Sequence, residues 1–156
     1  MAKINLFNKK GGKKVFHLNK PKNFCPDLEA VGCLVILWGE ILILKRTPDH
    51  ALYPNLWGFP SGKMEPGETP IEAMSRELRE ETGIATDSLL FLGTVYEAYP
   101  KIRFIYHLYR LNLKAEPVIR LNPKEHVAYR FDTFEGIADS SDVMPDSDTC
   151  IKHFCR

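Results

Sequence analysis

A chain of 156 residues, 44% hydrophobic and 26% charged, suits one soluble domain with an adequate core. Its 21 basic and 20 acidic residues nearly cancel, yet seven lysines and no acid fall in residues 1–26, leaving 14 basic against 20 acidic beyond them. No apolar run approaches the ~18 residues of a membrane span and no signal-peptide core opens the chain, so the expectation is a cytoplasmic protein.

In chain order, Ile4 to Phe7 and Val15 to Leu18 flank Lys9-Lys10-Gly11-Gly12-Lys13-Lys14 and suggest a β-hairpin with a primed turn. A basic tail is the alternative, and residues 1–26 are read as an extension to a domain spanning 27–156. Val31 to Trp38 and Ile41 to Lys45 form a second hairpin of strongly apolar strands around Gly39-Glu40. Leu56 to Phe59 is a short strand. The segments Leu89 to Tyr96, Arg103 to Leu113 and His126 to Phe131 are strand-like, and Asp148 to Cys155 reads as a short helix. One strong helix among many strands predicts an α+β fold, an α/β/α sandwich. The four cysteines lack zinc spacing and read as reduced thiols; Cys33, in an apolar run, should be buried.

The strong helix lies in residues 62–84, G-K-M-E-P-G-E-T-P-I-E-A-M-S-R-E-L-R-E-E-T-G-I. Gly62 and Gly67 bracket a loop that bends into Thr69, a natural N-cap. Pro70 fits the first helical position, Glu72 completes a capping box, and Gly83 stops the helix. Ile71, Met74 and Leu78 make an apolar stripe, and Arg76 is in i,i+4 register with both Glu72 and Glu80. Glu77, Glu80 and Glu81 fall on one face, where like charges repel. A divalent cation turns that cost into a binding site, because hard cations take several oxygen ligands.

Gly62, Glu68, Arg76, Glu77, Leu78, Glu80, Glu81, Gly83 and Ile84 fill every fixed position of the pattern G-x5-E-x7-R-E-U-x-E-E-x-G-U, with U aliphatic. The run resembles the Nudix box. The resemblance implies a mixed β-sheet between helices and Mg²⁺- or Mn²⁺-dependent hydrolysis of a diphosphate linkage by water. It also implies that Glu77, Glu80 and Glu81 are metal ligands, Glu77 and Glu80 catalytic, with Arg76 orienting Glu77 and Glu68 supporting the loop or the metal waters. A further ligand is expected from the backbone carbonyl of Ser61, where many relatives have glycine. Glu125, just before a strand, is the candidate for a general base; His107, His126 and His153 are weaker ones.

Beyond the box, Ile41 to Arg46, Trp57-Gly58-Phe59-Pro60 and Tyr99-Pro100 are similar to MutT-type nucleoside triphosphate pyrophosphohydrolases. By that similarity Arg46 touches phosphate, Phe59 and Tyr99 line the base pocket, and Asp146 or Ser147 reads the base; Lys63, beside the first box glycine, joins the substrate contacts. The first-ranked substrate is a purine nucleoside triphosphate, plausibly oxidised, giving the monophosphate and pyrophosphate. ADP-ribose or a dinucleoside polyphosphate ranks second, and capped or triphosphorylated RNA third, encouraged by the basic N-terminus. A non-catalytic nucleotide-sensing module is the competing class. The partner is a nucleotide, with no membrane; the oligomeric state, monomer or homodimer, is open.

Overall fold

The computed structural model describes residues 4–7, 13–99, 102–145 and 147–155, with backbone alone at 4–7 and 13–15. Nine strands occur among them: β1 (Ile4–Phe7), β2 (Lys13–His17), β3 (Leu28–Leu37), β4 (Glu40–Arg46), β5 (Trp57–Gly58), β6 (Ser61–Lys63), β7 (Leu90–Ala98), β8 (Arg103–Leu113) and β9 (His126–Asp132). Three helices complete the fold: α1 (Pro70–Thr82), α2 (Phe134–Asp139) and α3 (Ser147–Phe154).

The strands form one mixed sheet in the order β1-β2-β7-β8-β3-β4-β5, with β6 paired to β3 and β9 to β4. β3 runs parallel to β8 along its whole length, and the other pairs are antiparallel. Successive β3 side chains alternate between faces. Val31, Cys33 and Val35 therefore join Leu42 and Leu44 in a core covered by Ala73, Met74 and Leu78 of α1. Leu34, with Phe16, Ile41, Ile43, Val95 and Leu108, packs on the other face beneath Ile137 of α2 and Cys150 and Ile151 of α3. The expected mixed sheet between helices is what the chain forms.

Several local readings need correction. Gly62 lies in β6 rather than in a loop, paired with Val31. The β3–β4 turn is Trp38-Gly39, both at positive φ, a primed two-residue turn, rather than Gly39-Glu40. Ile71 is exposed, because the buried stripe of α1 runs through Ala73, Met74, Glu77, Leu78 and Glu81. Helix α2 has no counterpart among the expected elements, since six residues are too few to show a helical period. At the N-terminus, β2 pairs with β7 and Phe16 is 1% exposed, so the hairpin contributes a side chain to the core. The Lys9 to Gly12 part of its turn lies outside the described residues.

Candidate metal and catalytic site

The site forms where β3 divides its second edge. Its far end pairs with β4 at Ile36 and Leu37, while Ala30 to Gly32 pair with β6. The chain then bends through Glu65 to Glu68, crosses Gly67 at φ 84°, and enters α1 through a complete Thr69–Glu72 capping box. Glu72 is occupied in that box, accepting from the Thr69 N–H at 2.8 Å, so no Glu72–Arg76 pair is present. Gly83 at φ 76° closes the helix.

β6 is locked to α1 by close contacts at Ser61 and Gly62. The Ser61 N–H donates to Glu81 Oε2 at 2.9 Å. Gly62 lies flush against Glu77: a Cβ there would fall 2.0 Å from the Glu77 carboxyl carbon. Glycine at 62 is thus required by close approach rather than by a turn. The Ser61 N–H thus has a role on Glu81 that no local sequence pattern encodes.

Arg76 organises the acidic groups. Its Nε donates to Glu68 Oε1 at 2.6 Å and its Nη2 to Glu68 Oε2 at 3.0 Å, a bidentate pair. Nη1 reaches Glu77 at 2.8 Å and Glu80 at 3.2 Å, and Nη2 also caps the Lys63 carbonyl at 3.0 Å. The Arg76 guanidinium holds the Glu68 carboxyl down to about 2. Glu68 thereby fastens the loop to the helix. The three box glutamates are not equivalent. Glu77 and Glu81 are buried, while the Glu80 side chain is 52% exposed.

Burial raises the Glu77 carboxyl above its usual range, although Arg76 opposes the shift. It raises Glu81 well above that range, against the Ser61 N–H. Carboxylates desolvated this way favour a proton until a cation replaces it.

A bulge between Lys45 and Arg46 sets Arg46 opposite His126 in the β4–β9 pair, and the Thr47 N–H holds the Glu125 carbonyl at 3.0 Å. Those bonds bring Glu125 and His126 to Glu81, with one ligand atom from each residue within 4.8 Å of the others. The set fits a divalent cation: two carboxylates, one buried imidazole, and local negative charge in excess. His126 is held neutral, its pKa drawn down to about 4 first by burial and then by Arg46 and His50. Arg46 is partly buried, donates to the Leu52 carbonyl, and feels the charges of Glu81 and Glu125. It stands at the same end of the sheet as the acidic cluster.

The remaining candidates are more dispersed. Phe59 is buried in the core beneath α2 and α3, on the face opposite α1. Tyr99 stacks on Phe104, ring centroids 5.4 Å apart, and donates to buried Glu97 at 2.9 Å. Lys63 is exposed on the last residue of β6. Asp146 and Pro100 lie outside the described residues. His107 is engaged by Thr94 and Glu29, and His153 packs edge-on against Phe154. Sequence reading named Glu125 as a base but did not join it to Glu81, since only the β4–β9 register shows that proximity.

The model of the NUDIX domain matches residues 27–154, and the chain belongs to that family. It is 48% identical over 71 residues, 46% of its length, to the 8-oxo-dGTP diphosphatase of Proteus vulgaris. It is 33% identical over 95 residues, 61% of its length, to the mouse 8-oxo-dGDP phosphatase NUDT18. The aligned segments span 62% and 28% of those two proteins. Among solved structures, the MutT protein of Methanosarcina mazei superposes with a TM-score of 0.73 at 25% identity, covering 83% of this chain and 93% of that one. No helix among the described residues is long and apolar enough to cross a membrane.

Proposed function

We propose that the protein is a divalent-metal-dependent pyrophosphohydrolase acting on a purine nucleoside triphosphate, an oxidised purine included, and releasing the monophosphate and pyrophosphate. One observation carries this reading. The β6–α1 unit buries Glu77 and Glu81, and Glu81 gathers with Glu125 and His126 within the charge field of a guanidinium suited to phosphate. The name of the Proteus vulgaris relative supports an oxidised purine triphosphate, and that of the mouse relative supports the oxidised purine but as a diphosphate.

In this reading Glu77 and Glu81, with Glu125, hold the cation, and exposed Glu80 meets it through water or on substrate binding. Mg²⁺ or Mn²⁺ held by these carboxylates would supply a Lewis acid for the phosphoryl group and a more acidic water. Arg76 opposes protonation of Glu77 and aims its carboxylate. Arg46 neutralises phosphate charge. Glu125, whose backbone is held by Thr47, would use the carboxylate oxygen not on the cation to accept the water's proton as that water attacks phosphorus and the anhydride oxygen leaves with its electron pair. Phe59, Tyr99 and the segment around Asp146 are assigned to the base. A sensing module that has lost catalysis is disfavoured, because every box carboxylate is retained.

The test is a panel of dGTP, 8-oxo-dGTP, dATP, dCTP, ADP-ribose, a dinucleoside tetraphosphate and 5′-triphosphorylated RNA, assayed for kcat/KM with Mg²⁺ and with products identified. A purine triphosphate giving pyrophosphate should lead. ADP-ribose, the dinucleotide or RNA ahead by about tenfold or more would overturn the substrate assignment.

A further inference from the structure

The imidazole beside the box carboxylates has no role in the reading above. His126 is 5% exposed, and its Nδ1 is buried with no hydrogen-bond partner. The nitrogen turned toward the box carboxylates is the other one, and the assignment of a ligand rests on it. His126 Nε2 faces Glu81 Oε1 at 4.0 Å. That separation is too long for a hydrogen bond. It matches two ligands sharing one ion: bonds of about 2.1 Å put cis donors about 3.0 Å apart and trans donors about 4.2 Å apart. The other buried, unpartnered side-chain polar atom among the described residues is Thr47 Oγ1, and the Thr47 N–H holds the Glu125 carbonyl. Unsatisfied polar groups therefore gather at this corner.

We propose that His126 Nε2 is a direct ligand of the cation held by Glu81 and Glu125, making the centre a mixed nitrogen–oxygen site. The proposal rests on the reading that the chain binds a divalent cation, and it adds a preference to that reading. Imidazole suits transition metals, whereas Mg²⁺ favours oxygen ligands and water. The site should therefore select Mn²⁺ or a later first-row dication over Mg²⁺, with the selectivity residing in one side chain.

The probe is Mn²⁺ alone, without nucleotide, read by pulsed electron paramagnetic resonance. Wild-type protein should bind Mn²⁺ and show the nuclear modulation of a coordinated ¹⁴N, converting to the ¹⁵N pattern when histidine is ¹⁵N-labelled. His50 is the nearby competitor. The modulation should persist in His50→Gln and vanish in His126→Gln, with Mn²⁺ affinity falling about tenfold or more and Mg²⁺ affinity falling less. Should His126→Gln fail to fold, the labelled wild type and His50→Gln still decide. Stoichiometric Mn²⁺ binding without nitrogen modulation, or modulation lost in His50→Gln, would overturn the assignment of His126 while leaving the metal hydrolase intact. Absence of Mn²⁺ binding would overturn both.

Discussion

Substituting Gly62→Ala isolates the contact that couples β6 to α1. The added Cβ would fall 2.0 Å from Glu77 Cδ and 2.1 and 2.4 Å from its oxygens, against an ordinary contact of 3.4 Å or more. The carboxylate must retreat by about 1.4 Å. It is held by Arg76 at 2.8 Å, and that guanidinium is committed to Glu68, Glu80 and the Lys63 carbonyl, so little slack is available. Misplacing a reacting group by about 1 Å costs about 10²-fold, so kcat/KM should fall by at least that factor, about 2.7 kcal/mol of transition-state stabilisation. Overpacking costs about 1–3 kcal/mol and the stiffer unfolded chain returns about 0.4–1 kcal/mol, for a net loss near 1–2 kcal/mol. At this chain length Tm should drop by about 2–8 °C, leaving a folded protein. Steady-state kinetics with saturating Mg²⁺, beside a thermal melt, reads both quantities. Adding Glu77→Asp, which withdraws the carboxylate by one methylene, should recover part of the Tm and none of the activity. A Gly62→Ala enzyme within about threefold of wild type would refute the coupling.

Tyr99→Phe removes a donor to the buried Glu97 carboxylate and should cost about 1–3 kcal/mol in urea unfolding, with an unchanged midpoint counting against the contact. Phe16→Ala should cost about 3–5 kcal/mol, because that ring is fully buried between β7 and the core. A loss under about 1 kcal/mol would mean that the N-terminal hairpin stands apart from the domain core.

What the sequence made legible was what local spacing encodes. The capping box at Thr69, the C′ glycine at 83 and the apolar runs of β3, β4 and β8 each follow from periodicity or from a single residue's backbone preference. Gly62 looked like a turn residue because its real constraint, the Glu77 carboxylate against its Cα, is tertiary. Ile71 fits the helical stripe, yet the stripe is rotated onto Ala73, which leaves Ile71 in water. The grouping of Glu81 with Glu125 and His126 depends on a β4–β9 pairing and a bulge, joining residues more than forty positions apart that no local pattern links. The same limit applies to Phe59 and Tyr99, whose aromatic type was apparent but whose neighbours across the sheet were not.

The central claim is that buried box carboxylates hold the cation that drives hydrolysis, and Glu81→Gln tests it most directly. Glu81 is 3% exposed, and the amide keeps its shape while removing the charge. The account predicts Mg²⁺- or Mn²⁺-dependent pyrophosphate release by wild type, abolished by a chelator. It predicts a loss of about 10²-fold or more in the folded variant, together with weakened metal binding. Turnover that survives chelation, or a Glu81→Gln protein as active as wild type, would contradict it.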